Sequence, residues 1–177
     1  PSLSCRTAFM TASSPATARR QALDIEAIVQ ALGARAPLFS LEVLTACDST
    51  NSVLAARPLA DDSRLQVVFA EQQTAGRGRR GRPWQSWPGD SLTFSVLRRF
   101  ECGAPAPAGL SLVSGLAVVH ALRQFGLQGL QLKWPNDVLV FGDKLAGILV
   151  ELVADRPRPP AAIIGIGINY AVPPEDF

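Results

Sequence analysis

The stretch Gln73–Trp84, QTAGRGRRGRPW, decides how the rest of this chain is interpreted. Three glycines and four arginines make up its unbroken run Gly76–Arg82. Glycines at this spacing let a backbone turn sharply and present its N–H groups, and arginine forks suit phosphate or carboxylate oxygens. Because the run has no periodicity that would bury a face, it predicts a mobile surface loop that binds anions. A basic nucleic-acid patch and a merely solvated loop are the alternatives.

The composition of the chain predicts one folded domain. Its 177 residues are 47% hydrophobic and 18% charged, which is enough apolar chain for a core. The four arginines of Gly76–Arg82 carry more positive charge than the whole chain, whose net charge is +2, so the rest of the chain is net negative. The positive charge is therefore local, whereas a general nucleic-acid surface spreads it more widely. Three cysteines without a CxxC pairing predict reduced thiols in a cytoplasmic location. No apolar run approaches the roughly 20 residues of a membrane span.

The first 22 residues look like a leader that precedes the fold. They are rich in Ser, Ala, Thr and Arg, and the first acidic residue is Asp24. This composition resembles a transit peptide, but an untidy terminus or a cloning remnant is the simpler explanation. We therefore expect residues 1–22 to be disordered and residues 23–177 to form the domain.

Short helices and strands alternate from Leu23 onward. Apolar spacing and cap signals predict helices at Leu23–Leu32, Val53–Arg57 and Leu110–Phe125. Apolar or alternating segments predict strands at Phe39–Cys47, Leu65–Ala70, Asp90–Arg98, Leu130–Trp134, Val138–Phe141, Lys144–Val153 and Ala161–Tyr170. Consecutive strands with tight turns cannot form a purely parallel sheet. The predicted fold class is α+β, a mixed, mainly antiparallel sheet with helices on one side.

Three further segments place polar groups or bare backbone beside predicted strands. Lys133–Asp137 (KWPND) sets a cation, an amide and a carboxylate around a proline-fixed bend. Lys144–Gly147 (KLAG) opens a strand with a lysine, and its glycine lets a ligand approach the backbone. Ile164–Asn169 (IGIGIN) alternates glycine with isoleucine, so part of one face is bare and could hold a flat ligand. Taken singly, each is explained more simply by a solvated turn or a bulge.

Taken together, five motifs occur in the order found in biotin protein ligases. They are Asp48–Asn51, Gly76–Arg82, Lys133–Asp137, Lys144–Gly147 and Gly165–Asn169. The resemblance extends from about Leu23 to Tyr170. It implies a catalytic domain with the class II aminoacyl-tRNA synthetase/biotin synthetase-like fold, which in this family continues beyond the Gly165–Asn169 strand. We therefore expect a ligase-only chain whose catalytic domain is incomplete at the C-terminus.

The resemblance also implies the reaction. Biotin and ATP give biotinyl-5'-adenylate, and biotin then passes to a lysine of a biotin carboxyl carrier domain of a carboxylase. The implied cofactors are ATP and Mg²⁺, with biotin as substrate. No specific DNA binding and no membrane association are expected, and a homodimer is compatible with the resemblance.

The resemblance further implies a role for each polar residue. The biotin-binding residues would be Ser49, Thr50, Asn51, Gln73, Gly76, Arg77, Lys144, Gly147 and Gly165. The nucleotide-binding residues would be Arg79, Arg82, Trp84, Lys133, Asn136, Asp137 and Asn169. Lys144, Arg79 and Arg82 are the catalytic candidates, because cations lower the repulsion between a carboxylate and an α-phosphate. Asp137 is the candidate ligand for Mg²⁺, or a partner for a loop arginine.

Two rival functions stay open at this point. A lipoate ligase of the same superfamily would show an Arg-Arg-x-Ser-Gly-Gly type segment, which this sequence lacks. A nucleic-acid-binding module would use the arginine loop with Trp84 and Trp87 for stacking. His120 and the cysteines form no Cys/His arrangement typical of a nucleophile, so we interpret them as structural.

Overall fold

The computed structural model describes residues 22–57, 63–100, 109–153 and 161–171. Its helices are α1 (Ile25–Leu32), α2 (Thr50–Ala55) and α3 (Leu110–Gln124). Its strands are β1 (Phe39–Cys47), β2 (Leu65–Gln73), β3 (Ser91–Arg99), β4 (Leu130–Lys133), β5 (Asp137–Val140), β6 (Asp143–Val153) and β7 (Ala161–Asn169). The predicted leader, apart from Ala22, lies outside the described residues. Within the described ranges, no helix combines the length and apolarity needed to cross a bilayer.

All seven strands form one sheet in the order β1-β2-β3-β7-β6-β5-β4. The β1–β2 pair is parallel, and the chain between these two strands includes α2. Every other neighbouring pair is antiparallel. Parallel neighbours require a crossover connection, whereas antiparallel neighbours accept tight turns. The predicted mixed, mainly antiparallel sheet is therefore confirmed.

The helices pack against both faces of this sheet. Successive residues of a strand point to opposite faces, so the two faces carry different side chains. The α3 residues Val118 and Val119 lie in a cluster with Ile148 and Ile168. On the other face, Leu54 of α2 packs with buried residues of three strands, namely Val68, Leu97 and Ile163.

The position of α2 differs from the expected arrangement with all helices on one side. Leu54 is 1% exposed and anchors this six-residue helix on the face opposite α3. The same face carries Ser95 and Gly165, which face each other across β3 and β7. A short helix with a polar first turn can pack there because small side chains leave room and hydroxyls supply hydrogen bonds.

Two element boundaries place polar residues at the sheet. Helix α2 begins at Thr50, three residues before the predicted start, because Ser49 is extended (φ −157°, ψ 136°). Thr50 and Asn51 therefore lie in the first helical turn, where they are almost fully buried. Strand β2 continues past the predicted Ala70 to Gln73. The strand end and the helix start thus bring three predicted binding residues together.

Candidate active site

A cavity of about 440 Å³ lies on the sheet face that carries Gly147, Gly165 and Gly167. It is lined by parts of all five sequence motifs. The predicted site residues that line it are Ser49, Thr50, Asn51, Gln73, Arg77, Arg79, Arg82, Trp84, Lys133, Asn136, Asp137, Lys144, Gly147 and Gly165. The fold therefore gathers residues from distant parts of the chain into one concave site.

Two of the predicted residues do not line this cavity. Gly76 lies in the turn that begins the arginine loop, where its carbonyl accepts a hydrogen bond from the Trp84 N–H at 2.8 Å. A Cβ atom at Gly76 would come within 2.4 Å of the Trp84 carbonyl oxygen. Asn169, at the end of β7, donates from Nδ2 to the Gln85 carbonyl at 3.3 Å. Their roles toward a ligand remain predictions.

One wall of the cavity is a buried set of neutral hydrogen-bonding groups. The Thr50 N–H donates to Gln73 Oε1 at 2.8 Å, and the Thr50 hydroxyl lies 3.1 Å from the same oxygen. Ser95 Oγ lies 2.7 Å from Thr50 Oγ1 and 2.5 Å from Asn51 Oδ1. These groups hold each other in place and leave the Gln73 amide group beside the cavity. A wall of this kind suits a ligand that is polar but uncharged.

Side chains of this protein pack directly against the glycines of the strands. A Cβ atom at Gly165 would lie 2.3 Å from Asn51 Oδ1, and one at Gly167 would lie 2.4 Å from Trp84 Cε2. At Gly147 the distance to Trp84 Cζ3 would be 3.0 Å. The bare strand face that the sequence predicted is present, but Asn51 and Trp84 cover part of it. A ligand in this cavity therefore meets these two side chains as well as the backbone.

The arginine loop forms a narrow hairpin at the mouth of the cavity. Its two sides are joined by a bridge between Arg77 and Pro83 and by a hydrogen bond from the Gly78 N–H to the Arg82 carbonyl at 2.7 Å. The turn uses positive φ angles at Arg80 (58°) and Gly81 (72°). This position on the surface agrees with the sequence prediction. The predicted mobility of the loop stays a prediction.

Two loop arginines reach acceptors outside the loop, and one of these acceptors, Asn136, lines the cavity. Arg77 Nη2 lies 3.1 Å from Glu151 Oε2, and Arg79 Nη1 donates to Asn136 Oδ1 at 3.2 Å. Asn136 is held in turn, because its Nδ2 donates to the Ile148 carbonyl at 3.0 Å. The loop cations are thereby directed toward the cavity.

Lys144 contributes a further cation to the cavity. Its Nζ lies 2.9 Å from Asp137 Oδ1 and 5.4 Å from the centre of the Trp84 ring. The ion pair joins β5 to β6, and both side chains stay partly exposed to solvent. Asp137 thus pairs with Lys144, whereas the sequence analysis offered a loop arginine as its partner. An incoming carboxylate or phosphate would compete with Asp137 for the ammonium group.

Asp137 is the one acidic residue among those that line the described cavity. Across the described ranges, no three His, Cys, Asp or Glu side chains cluster as a metal site would require. Mg²⁺ in nucleotide sites is commonly held by one or two carboxylates together with substrate phosphates. Asp137 fits that limited role, with most of the ligands supplied by a nucleotide.

Ser95 and Glu151 belong to this site although the sequence analysis missed both. Ser95 is fully buried, and the polar residues Ser91 and Thr93 precede it at the same alternating spacing. Buried polar residues at alternate positions of a strand require partners, which was the available signal. The signal for Glu151 was an acidic residue inside the otherwise apolar run Leu145–Val153.

Cys47 and His120 take no part in the cavity. Burial raises the pKa of the Cys47 thiol above its ordinary value, and the adjacent Asp48 carboxylate raises it further. A thiol with a raised pKa is a weak nucleophile at neutral pH. His120 is exposed on α3, with its Nε2 3.3 Å from Gln124 Nε2. The structural roles proposed for both residues stay predictions.

The strand order and the cavity define the class of this protein. A seven-stranded mixed sheet that has helices on both faces and a basic cavity on one of them has the class II aminoacyl-tRNA synthetase-like fold. Residues 43–169, more than half of the chain, match the Biotin/lipoate A/B protein ligase family. The chain belongs to this family.

Individual proteins that are named as ligases resemble this chain in sequence and structure. It is 44% identical over 133 residues to the bifunctional ligase/repressor BirA of Escherichia coli strain K12, covering 75% of this chain and 41% of that protein. It is 38% identical over 152 residues to the biotin--[acetyl-CoA-carboxylase] ligase of Mycobacterium tuberculosis, covering 83% and 55%. A solved biotin protein ligase from Aquifex aeolicus, in complex with biotin and ATP, matches with a TM-score of 0.62 and 37% identity, covering 77% of this chain and 56% of that chain. The chain therefore spans between 41% and 56% of the length of these relatives.

Proposed function

We propose that this chain carries the adenylate-forming site of an ATP-dependent biotin protein ligase. The observation that carries the proposal is a single cavity in which a buried neutral wall adjoins a set of cations. The wall contains Thr50, Asn51 and Gln73, and the cations that line the same cavity include Arg77 and Lys144. Biotin has the matching character, because its ring system is neutral and polar while its side chain ends in a carboxylate.

The neutral wall supports binding of the biotin ureido ring. Gln73 and Asn51 are fixed through their own hydrogen bonds, so their remaining amide hydrogens are pre-oriented for a ligand. Pre-orientation lowers the entropy that binding would otherwise cost. Asn51 and Trp84 pack on the strand glycines and reduce the depth of the cavity above the sheet, which favours a thin ring system.

The cations support the first chemical step. The biotin carboxylate oxygen attacks the α-phosphorus of ATP, a new C–O–P linkage forms, and pyrophosphate leaves with the electron pair of the broken P–O bond. Two anions must approach each other in this step, and Arg79, Arg82, Lys133 and Lys144 supply positive charge around the cavity. Fixed cations act more strongly where water is excluded, since the local dielectric falls.

Asn136 and Asp137 support the nucleotide end of the site. Asn136 directs Arg79, and Asp137 orients the Lys144 ammonium group until a substrate oxygen replaces it. Mg²⁺ supplies charge neutralisation for the triphosphate when it is bound, and Asp137 is the residue that would hold it. Trp84 presents its ring in the cavity, where it could contact adenine.

The second step transfers biotin to a partner. The ε-amine of a lysine on a biotin carboxyl carrier domain attacks the acyl carbon, an amide bond forms, and AMP leaves with the electrons of the broken C–O bond. An acyl-adenylate hydrolyses readily, so closure of the arginine loop over the cavity would protect it from water. The partner domain and the cytoplasmic location are inferred from the family. A homodimer remains a prediction.

A titration with three candidate ligands tests the proposal. We expect saturable heat with biotin, none with lipoate, and pyrophosphate release only when biotin and ATP are both present. Binding to a short oligonucleotide at physiological salt should be weak and should fall steeply as salt rises. Tight binding of lipoate without biotin, or of the oligonucleotide alone, would refute the proposal in favour of the corresponding rival.

The expected lack of specific DNA binding needs a test of its own. The E. coli relative is named a ligase and a repressor, so this expectation stays a prediction for the present chain. A footprint of the protein on duplex DNA would contradict it.

A further inference from the structure

We propose that Glu151 is a positioning residue for the neutral wall of the cavity, which would bind biotin, an inference that rests on the proposed function. Glu151 lies on β6 outside the set of side chains that line the cavity. It ends a chain of hydrogen bonds that runs from Thr50 through Ser95 and Asn51. Its carboxylate sets the direction of that chain and holds Arg77 beside it.

The orientation of the Asn51 amide follows from the carboxylate. Asn51 Nδ2 lies 2.7 Å from Glu151 Oε2. An ionised carboxylate can only accept hydrogen bonds, so the NH₂ group of Asn51 must face it. The amide oxygen of Asn51 is then directed toward Ser95, whose Oγ lies 2.5 Å away.

The remaining protons in this series of hydrogen bonds are assigned by counting donors and acceptors. Ser95 has one hydroxyl hydrogen, and Asn51 Oδ1 accepts it because an amide oxygen cannot donate. The contact of 2.7 Å between the Ser95 and Thr50 hydroxyls therefore needs the Thr50 hydrogen. Gln73 Oε1 is left with the Thr50 N–H at 2.8 Å. The Thr50 hydroxyl, the Ser95 hydroxyl and the Asn51 NH₂ group thus all donate in the direction of Glu151.

Burial makes this direction hard to reverse. Thr50 is 3% exposed, Asn51 is 2% exposed and Ser95 is fully buried, so a group that lost its partner here could not form a hydrogen bond with water instead. The Cβ position of Gly165 lies 2.3 Å from Asn51 Oδ1, which confirms how closely the amide packs on the sheet. One glutamate therefore decides whether Asn51 offers a donor or an acceptor to the cavity.

Glu151 also acts on the arginine loop. Arg77 Nη2 lies 3.1 Å from the same Oε2 atom that accepts from Asn51. The Arg77 and Glu151 side chains are 45% and 34% exposed, so this ion pair by itself adds little to stability. Its consequence is that Arg77, the first arginine of the loop, is held next to Asn51 in the neutral wall of the cavity.

The substitution Glu151→Gln removes the charge while nearly keeping the shape. A glutamine can present either NH₂ or C=O to Asn51, so the amide loses its single orientation. We expect the biotin dissociation constant to rise about tenfold, the scale of a lost hydrogen bond to a charged group. The KM for ATP should stay within about twofold. Glu151→Asp keeps the charge on a shorter side chain and should give an intermediate biotin affinity.

A matched control separates positioning from general destabilisation. Glu42→Gln breaks another partly exposed carboxylate–arginine pair, with Arg57, among residues that do not line the cavity. Calorimetry with biotin should show no change for this variant. If Glu42→Gln weakens biotin binding as much as Glu151→Gln does, or if Glu151→Gln binds biotin like the parent protein, the inference is refuted.

A second readout needs no ligand. Trypsin cleavage after Arg77, followed by mass spectrometry on the unliganded protein, should be at least threefold faster in Glu151→Gln and unchanged in Glu42→Gln. Failure of the parent protein to bind biotin would refute the proposed function, and the cleavage comparison would still decide whether Glu151 holds the loop. Equal cleavage in all variants would overturn the role of Glu151 toward Arg77.

Discussion

Replacement of Lys144 by alanine separates catalysis from stability in this site. The Lys144 ammonium group forms one ion pair, with Asp137 at 2.9 Å, and its side chain is 46% exposed. Exposed ion pairs contribute about 0–1 kcal/mol, and the contact of 5.4 Å with the Trp84 ring adds a similarly small amount. We therefore expect Lys144→Ala to lower the free energy of unfolding by only about 1 kcal/mol.

The expected effect on adenylate formation is much larger. Removal of a group that stabilises charge in a transition state costs about 2–4 kcal/mol, which corresponds to a loss of roughly 30- to 1,000-fold in rate. The assay is pyrophosphate release at saturating biotin and ATP, with a thermal melt of the same sample. Arg57→Ala is the matched control, because it breaks a partly exposed ion pair with Glu42 away from the cavity. Its melting temperature should fall by a similar amount while pyrophosphate release stays at the parent level.

The result that would refute this reasoning is a Lys144→Ala protein that releases pyrophosphate as fast as the parent. Lys144 would then be a solvated turn residue that happens to contact Asp137. A loss of activity that merely parallels the loss of folded protein, in Arg57→Ala as well, would equally remove the catalytic role.

Further predictions address the loop, the glycine face and the thiol. Biotin with ATP should slow trypsin cleavage within Gly76–Arg82 severalfold, because closure buries the arginines; identical digestion patterns with and without ligands would contradict this. Gly165→Ala should abolish biotin binding in calorimetry, because the added Cβ would lie 2.3 Å from Asn51 Oδ1; retained affinity would mean that Asn51 can move without consequence. Because burial and Asp48 raise the pKa of Cys47, its thiolate fraction at neutral pH is low in the folded protein and rises only at higher pH. Iodoacetamide should therefore modify Cys47 more slowly in the native protein than in urea at the same pH, and equal rates would show that the thiol is not shielded.

The sequence determined the local elements of this fold. Strand β1 has the bounds Phe39–Cys47 that its alternation predicted, and α3 begins at the predicted Leu110. Both depend on side-chain periodicity within a few turns or a few residues, which a sequence displays directly. The residue types of the cavity were also predictable, since the glycines and arginines of Gly76–Arg82 predict anion binding through their own chemistry.

Only the tertiary structure decided which of these residues meet and what they do to each other. Asn51 and Glu151 are 100 residues apart in sequence, and they come within 2.7 Å because α2 packs on the same sheet face as alternate residues of β6. No local pattern encodes that contact, because it depends on strand order and register. The same holds for Trp84, which covers the glycines of β6 and β7 that the sequence had left for a ligand. A strand shows which side chains alternate, whereas the sheet that it joins decides which face is the inside.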